Sequence, residues 1–322
     1  HMHQPQYANR LNGEYQLPWT YLHAIKDYTD MAAHLQAVPQ ARAVVNFAPI
    51  LLEQLDDYAQ QIDSHLKTGQ VIRDPLLSAL ASAVLPHHVE QRLSIMKSCL
   101  RANKERLIKR FQPYHRLVDM AMWFAEHPEA DIYISDQLLV DLLVWYHLAW
   151  LGESLRRQDE RVKHLMAKAC GFTFHDRRVL LQIIGEAIAA VFDSYKHLAA
   201  NGQVELSMTP YAHPIVPLLL DIHSAKQAMP DVALPFMETY PGGEERVQWH
   251  IQQGLQTFQR YLGVTPQGCW PSEGGVSDAA IDLFEQAGFR WIASGENVIR
   301  NSLNLHDRPS QSIYQAFSLQ QG

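Results

Sequence analysis

The sequence predicts an α/β fold in which parallel strands carry a large helical insertion, and three observations support this prediction. Short runs rich in β-branched and aromatic residues lie before residue 75 and after residue 200. Each of these runs ends in polar or turn-forming residues, and a helical pattern follows it. Between the two groups, residues 75–200 read as successive amphipathic helices with few strand candidates.

The strand candidates repeat one pattern along the chain. They cover residues 43–47, 203–208, 268–270 and 289–293, and the clearest helices of the middle region cover 89–111, 138–151 and 179–200. After the third strand candidate, Ser277 is a favourable N-cap for a helix that Gly288 would end. The alternation of strand, polar loop and helix therefore continues to the end of the region.

Polar residues gather where the strand candidates end. This favours a barrel enzyme, because such a barrel carries its site at the carboxyl ends of its strands. An open doubly wound sheet is the alternative, which the lack of a glycine-rich phosphate loop after any strand candidate weakens. We expect the first part of the barrel at 1–74, a helical subdomain at 75–200 and the second part of the barrel at 201–322.

Composition and charge exclude several classes of protein. The 322 residues carry a net charge of −7, which argues against a nucleic-acid partner, since phosphate binding needs clustered Lys and Arg. The sequence has no apolar run of about 18 residues, so no membrane span is expected. Cys99, Cys170 and Cys269 are too sparse for a disulfide framework and indicate a reducing, cytoplasmic location. We expect no cofactor and no metal, and the oligomeric state stays open.

Two histidines near the start form the first candidate site. His1 and His3 alternate along a strand-like segment that Pro5 would end, so their side chains would share a face. Paired imidazoles bind a metal ion or hydrogen-bond a sugar. The alternative is an ordinary polar strand end, or a tag remnant in the case of the first two residues.

Two further candidate segments each carry a glutamate beside a strand. Glu205 lies among apolar residues, and a buried glutamate must be paired, protonated or turned to a cleft. His213 follows it, with an ordinary loop role as the alternative. Glu273 follows the third strand candidate, between Trp270, which offers a stacking face to a sugar ring, and two glycines that let a ligand approach closely. The alternative for Glu273 is a solvated glutamate in a glycine-rich turn.

A fourth candidate lies in the first predicted helix. Trp19, His23 and Asp27 recur at helical spacing, so the three side chains would share one face. A capped helix with an ordinary interfacial tryptophan is the alternative. We keep Trp19 as a candidate substrate contact.

In this order, the motifs resemble those of glycoside hydrolase family 57. The resemblance rests on His-Gln-Pro at 3–5, on 202–205 with the following Pro-Tyr-x-His-Pro, and on Trp-x-x-Glu at 270–273, and the run 18–28 is typical of a bacterial branch. It implies an incomplete (β/α)7 barrel that acts on α-linked glucans with retention of configuration, with Glu273 as the nucleophile. The residues that it places around the substrate are His1, His3, Trp19, Glu205, His213 and Trp270.

The family's general acid is an aspartate from a later region, and no aspartate here matches its surroundings. Asp278 lies too close to Glu273 and is expected to cap a helix, and Asp307 lacks the expected neighbours. We therefore expect the acid beyond residue 322, and little glycosidase activity from this segment alone. Water or a sugar hydroxyl could accept the glycosyl group, so hydrolysis and transglycosylation both stay open, as do linkage and chain-length preference.

Two other functions remain as alternatives. A metal-dependent hydrolase of the α-mannosidase or deacetylase type would use His1 and His3 as ligands, and it needs further Asp or His ligands around them. A non-catalytic carbohydrate-binding relative would lack the acidic residue in the native protein.

Overall fold

The computed structural model describes residues 1–237 and 239–302, together with residues 316 and 318. The chain divides into two compact units. The sheet unit comprises His1, Val44–Ile50 and Glu205–Gly322, and the helical unit comprises Met2–Ala43 and Leu51–Val204. Asp307 lies outside the described residues. The division of the chain at residues 74 and 200 stays a prediction about its domains.

The helical unit is built from ten α-helices. The first two residues of one of them, α3, belong to the sheet unit. Shorter helical turns connect some of them: π-helical turns at Ala24–Tyr28 and Lys104–Ile108 and a 3-10 turn at Pro128–Tyr133. No helix in the described residues is both long and apolar enough to cross a bilayer. The helices are α1 (Trp19–His23), α2 (Thr29–Ala37), α3 (Pro49–Thr68), α4 (Pro75–Ala81), α5 (Val89–Cys99), α6 (Gln112–Glu126), α7 (Asp136–Trp150), α8 (Glu153–Gln158), α9 (Glu160–Lys168) and α10 (Phe174–Ala200).

The prediction of one helix over 89–111 is wrong. Helix α5 ends at Cys99, and a π-helical turn and the start of α6 follow it. The side chain of Asn103 accepts a bond from the backbone N–H of Arg106, which begins a new element there. Pro113, in the first turn of α6, has no N–H with which to continue an earlier helix.

Helix α7 is buried along most of its length, and this explains its nearly uniform apolar sequence. Asp141 interrupts the apolar run, yet its carboxylate is satisfied. It accepts bonds from the backbone N–H groups of Gly171 and Phe172, both at 3.0 Å, in the turn before α10. Because its acceptors are paired, this buried carboxylate ties α7 to the following turn at little desolvation cost.

Ala169, which follows α9, has a positive φ of 65°. A left-handed alanine costs roughly 1–2 kcal/mol, whereas glycine adopts this conformation freely. The greater conformational entropy of glycine in the unfolded chain offsets about 0.4–1 kcal/mol of this relief. We therefore expect Ala169→Gly to raise the free energy of unfolding by about 0.5–1 kcal/mol. Urea denaturation would show this as a higher midpoint with an unchanged slope.

Ala167→Gly is the matched control for that substitution. Ala167 is exposed within α9, where glycine costs about 0.5–1 kcal/mol relative to alanine. The two variants should therefore shift the urea midpoint in opposite directions. A fall of the midpoint in Ala169→Gly would contradict the assignment of strain to this residue.

Within the described part of the chain the sheet has four strands, and they match the four strand candidates of the sequence. They follow one another in sequence order across the sheet. The second and third pair in parallel with Met208 opposite Cys269, and the third and fourth pair in parallel with Gly268 opposite Trp291. This confirms an α/β fold with a parallel sheet. The strands are β1 (Ala43–Phe47), β2 (Val204–Met208), β3 (Gly268–Cys269) and β4 (Trp291–Ile292).

Two glycines allow close packing around this sheet. A side chain at Gly268 on β3 would lie 1.9 Å from the indole ring of Trp291. A side chain at Gly254, in the helix that precedes β3, would lie 2.6 Å from Cε of Met208 on β2. A methyl group at Gly268 would overlap the rigid indole, and one at Gly254 would require the flexible end of Met208 to shift, so the indole and the helix pack closely on the strands.

Among its described residues, the sheet unit has five α-helices in addition to the start of α3. The predicted helix after β3 is confirmed: the side chain of Ser277 accepts a bond from the N–H of Ala280, and Gly288 follows the helix with a positive φ of 92°. The helices are α11 (Val216–Leu220), α12 (Ala225–Ala228), α13 (Gly243–Leu262), α14 (Asp278–Gln286) and α15 (Glu296–Ser302), with 3-10 turns at Ile222–Ser224 and Ser272–Gly274.

Candidate active site

Glu273 lies on a tight turn that directly follows β3. The turn is closed by the backbone bonds from Gly274 N to Pro271 O (2.8 Å) and from Gly275 N to Ser272 O (3.0 Å). Glu273 has a φ of 56°, so its backbone is left-handed, at a cost of roughly 1–2 kcal/mol. The turn leaves the carboxylate open to solvent, with 71% of the side chain exposed. A strained residue with an accessible carboxylate is a common feature of functional sites.

His213 is the hydrogen-bond partner of Glu273. It lies on the turn after β2, and its Nε2 is 3.2 Å from Oε1 of Glu273. Its φ is also positive, at 59°, and among the described non-glycine residues only Ala169 shares this property with the pair. Two strained turns, after neighbouring strands, therefore bring an imidazole to a carboxylate.

Burial sets the charge state of His213. Only 6% of its side chain is exposed, and burial lowers the pKa of the imidazole, although the nearby Glu273 raises it. The net effect is a pKa below the usual value for histidine, so the ring is neutral at neutral pH. A neutral imidazole beside an exposed carboxylate acts as a hydrogen-bond donor and not as a salt-bridge cation.

His1 and Trp270 lie beside this pair. The ring centroid of His1 is 5.1 Å from that of His213 and 6.2 Å from that of Trp270. Nδ1 of His1 is 2.7 Å from Oδ1 of Asn46 on β1. Trp270 is half-buried and directly follows β3, and its N–H donates to Met208 O of β2. The sheet unit thus gathers four of the predicted site residues.

Sequence reasoning missed four polar residues that support these side chains: Asn46, Ser207, Thr209 and Ser272. The amide of Asn46 donates to Oγ of Ser207 at 3.1 Å, which leaves its carbonyl oxygen for His1. The hydroxyl of Thr209 contacts both Nδ1 of His213 and the hydroxyl of Ser272. All four are buried polar residues at or just after strands. Their only signal in the sequence is a small polar residue inside or directly after an apolar strand.

The sequence left open whether Glu205 is buried. It is exposed near the start of β2 and accepts a bond from Nε1 of Trp291 at 2.7 Å. Glu205, Ser207 and Thr209 alternate along one strand face, but Glu205 and Thr209 are ~13 Å apart along it at ~3.3 Å per residue. Glu205 therefore lies at the amino end of β2, whereas His213 follows the carboxyl end. A role for Glu205 in substrate binding stays a prediction.

His3 and Trp19 belong to the helical unit. His3 is half-buried. Trp19 begins α1, and its ring centroid is 5.9 Å from that of Trp150. Substrate contacts by His3 and Trp19 stay predictions.

The helix face predicted to contain Trp19 also carries a charged group. Nδ1 of His23 is 2.5 Å from Oδ2 of Asp27, and Nζ of Lys26 is 2.5 Å from Oδ1 of the same carboxylate. Burial raises the pKa of Asp27, but the bonds from His23 and Lys26 outweigh it and hold the pKa below its usual value. Asp27 is therefore ionised and its charge is balanced within the helical unit.

The N-cap of α14 is Ser277, and not Asp278, which we expected to cap a helix. Asp278 is the first residue of α14, after the N-cap Ser277, and it is exposed. An acidic residue in the first turn stabilises a helix through the positive end of its dipole. This accounts for Asp278 without a role in proton transfer.

Comparisons with known proteins find similar solved structures. Three solved structures each cover 91% of this chain: an alpha-amylase of Thermotoga maritima (14% identity, TM-score 0.41), a GH57-type branching enzyme of Pyrococcus horikoshii (13%, 0.42) and a GH57 branching enzyme of Thermococcus kodakaraensis (14%, 0.39). The chain spans 38%, 40% and 38% of those chains, respectively. No curated protein matches the chain.

A protein-family model decides the assignment. The model described as glycosyl hydrolase family 57 matches residues 1–322. This confirms the resemblance that the ordered motifs indicate. The chain belongs to glycosyl hydrolase family 57.

Proposed function

We propose that the protein carrying this chain is a retaining glycoside hydrolase or transglycosylase of α-linked glucans, with Glu273 as its nucleophile. The observation that carries the proposal is the accessible carboxylate of Glu273, held on a strained turn after β3 by the buried imidazole of His213. Family membership supports the reaction class. The proposal includes an incomplete (β/α)7 barrel, of which β1–β4 would be four strands, and a cytoplasmic location.

The chemistry follows the two-step scheme of retaining enzymes. An oxygen of ionised Glu273 attacks the anomeric carbon while a general acid protonates the glycosidic oxygen, so the bond to the leaving sugar breaks as the glycosyl ester forms. Water, activated by the same acid in its basic form, then displaces Glu273. A glucan hydroxyl in place of this water gives transglycosylation. We propose that the acid is an aspartate beyond residue 322, at the ~5–5.5 Å carboxyl separation that retention requires.

The neighbours of Glu273 suit this role. Neutral His213 donates a hydrogen bond to the carboxylate, which helps to hold the attacking oxygen in place. The indole of Trp270 offers an apolar face on which a pyranose ring would stack. His1, beside both rings, offers a polar group for a sugar hydroxyl.

Trapping of the glycosyl ester tests the proposal. The whole protein would be incubated with 5-fluoro-α-glucosyl fluoride, whose good leaving group lets the ester form and whose ring fluorine slows its breakdown. We expect one fluoroglucosyl group on the peptide that contains Glu273, found by mass spectrometry of a proteolytic digest. Heat-denatured protein and the Glu273→Gln variant are the controls and should stay unlabelled.

The other outcomes separate the alternatives. A label on a different carboxylate would remove Glu273 from the nucleophile role. No label, with tight binding of maltooligosaccharides and no turnover, would favour a non-catalytic carbohydrate-binding protein. Stoichiometric zinc that restores activity after chelation would favour the metal-dependent hydrolase suggested by His1 and His3.

A further inference from the structure

Two buried hydroxyl groups lie behind the pair formed by His213 and Glu273. Oγ1 of Thr209 is 3.0 Å from Nδ1 of His213 and 3.2 Å from Oγ of Ser272. Thr209 and Ser272 are 0% and 1% exposed, respectively. Thr209 follows β2 on the turn that carries His213, and Ser272 directly precedes Glu273. The bond between the hydroxyls therefore joins the two strained turns.

The chemistry of these groups gives the chain of hydrogen bonds one direction. An ionised carboxylate only accepts hydrogen bonds, so Nε2 of His213 must carry the proton that it shares with Glu273. A neutral imidazole has one N–H, so Nδ1 then offers a lone pair. The hydroxyl of Thr209 must donate to that lone pair, and its oxygen is left to accept from Ser272. The direction of each hydrogen bond in this chain thus determines the direction of the next.

The opposite tautomer is disfavoured by the same geometry. With the proton on Nδ1, the lone pair of Nε2 would face the carboxylate of Glu273 at 3.2 Å, and no hydrogen bond would form. Burial keeps the pKa of His213 below its usual value, so double protonation does not supply the missing donor at neutral pH. The position of a single proton therefore decides whether Glu273 has its partner.

We propose that Thr209, supported by Ser272, is a positioning residue that sets the tautomer of His213 so that Nε2–H points at Glu273. The effect on the tautomer stands on the hydrogen-bond geometry, whereas the effect on catalysis rests on the proposed function of Glu273. In many enzymes, a third residue orients a histidine by forming a hydrogen bond with the ring nitrogen that does not face the reacting group.

Thr209→Val removes the hydroxyl and keeps the shape of the side chain, and Thr209→Ser is the matched control that keeps the hydroxyl. Nitrogen-15 NMR of histidine-labelled whole protein distinguishes the tautomers, and the His213 signals are assigned by their loss in His213→Gln. We expect the Nε2–H tautomer in the wild type and in Thr209→Ser, and a substantial Nδ1–H population in Thr209→Val. An unchanged tautomer in Thr209→Val would overturn the proposal.

Activity provides the second readout. We expect kcat/KM for glucan turnover to fall about ten- to hundredfold in Thr209→Val and to recover in Thr209→Ser. A changed tautomer with an unchanged kcat/KM would overturn the catalytic consequence. A failure of Glu273 itself is a separate result, since it would appear as an unlabelled Glu273 in the trapping experiment.

Ser272→Ala gives a second variant in case Thr209→Val does not fold. It removes the donor to Thr209 and leaves the hydroxyl of Thr209 in place. We expect a change of the same sign in the tautomer and in kcat/KM, smaller than that of Thr209→Val. No change in either readout would contradict the role of Ser272 in the chain.

Discussion

Glu273→Gln is expected to lower glucan turnover by roughly 10⁴-fold or more, because an amide oxygen cannot attack the anomeric carbon as a carboxylate does. Gln is isosteric with Glu, and its oxygen still accepts a bond from His213. Substrate binding should therefore survive, with kcat falling far more than KM changes. Steady-state kinetics of the whole protein on a maltooligosaccharide measures both constants.

Glu244→Gln is the matched control. Glu244 is an exposed glutamate in the first turn of α13, in the same unit, and the substitution makes the same chemical change. Turnover should stay at the wild-type level in this variant. Substantial activity in Glu273→Gln would remove Glu273 from the nucleophile role.

Glu273→Gly adds a chemical rescue. Glycine accepts the φ of 56° at this position without strain, so loss of activity cannot be attributed to a distorted turn. Azide placed in the vacated space should attack the anomeric carbon and give a β-glycosyl azide from an activated α-glucoside. The inverted configuration of this product, measured by proton NMR, reports a single displacement. A rescued product of α-configuration would contradict attack from the side of residue 273.

The second large effect is expected in the helical unit and concerns the stability of the fold. His147 in α7 is fully buried, with Nδ1 2.7 Å from Leu143 O and Nε2 3.0 Å from the hydroxyl of Tyr21. The neutral ring satisfies both contacts, since Nδ1–H donates to the carbonyl and Nε2 accepts from Tyr21. Burial lowers the pKa of His147 to about 4, although the bond to Leu143 acts in the opposite direction.

The sign of the pH effect follows from this pKa. The unfolded chain binds a proton at His147 near pH 6.5, and the folded protein does so only near pH 4. The contribution of His147 to stability is therefore fully present above pH 6.5 and is lost as the pH falls towards 4. The contribution of His147 to the free energy of unfolding should fall with a slope that approaches ~1.4 kcal/mol per pH unit in this window.

The measurement compares urea unfolding of the wild type and of His147→Gln from pH 7.5 to 4. Wild-type data alone do not isolate the effect, because burial raises the pKa of Asp74 to about 6. The stability that Asp74 contributes therefore changes with pH in the opposite direction to that of His147. Asp74 stabilises the fold at low pH, and this contribution is lost as the pH rises through 6. Since both proteins contain Asp74, their difference isolates His147, and it should shrink by about 3 kcal/mol between pH 6.5 and 4.

His164→Gln, on the exposed surface of α9, controls for the substitution itself. A similar pH-dependent difference in that variant would contradict the assignment of the effect to burial. A difference for His147→Gln that stays constant with pH would show that the ring titrates alike in the folded and unfolded chains.

Much of the sheet unit could be predicted because its signals are local. The strands β1 and β2 and the helix α14 agree with the sequence prediction to within one residue at each end. Runs of β-branched residues and a serine N-cap act over a few neighbouring positions, so they can be read without the fold. The prediction of one helix over 89–111 was wrong, because the apolar pattern continues past Asn103, which caps a new helical element, and up to Pro113 in the first turn of α6.

The candidate site was predicted in part. Glu273, His213 and Trp270 stand in recognisable motifs, and the structure brings them together with His1. Glu205 shows the limit of this reasoning. Alternation along β2 determines which face it shares with Thr209, but the end of the strand at which the site lies is a property of the assembled sheet.

The sequence by itself therefore determined the α/β class, the order of the motifs and the family, because each depends on residues close together in the chain. Only the tertiary structure decided which hydroxyl meets which imidazole nitrogen. Asn46 meets Ser207 across 161 positions and Thr209 meets Ser272 across 63. These hydrogen bonds require distances of about 3 Å between groups that are far apart in the chain. The helical and strand periodicities of the sequence carry no information about such distances.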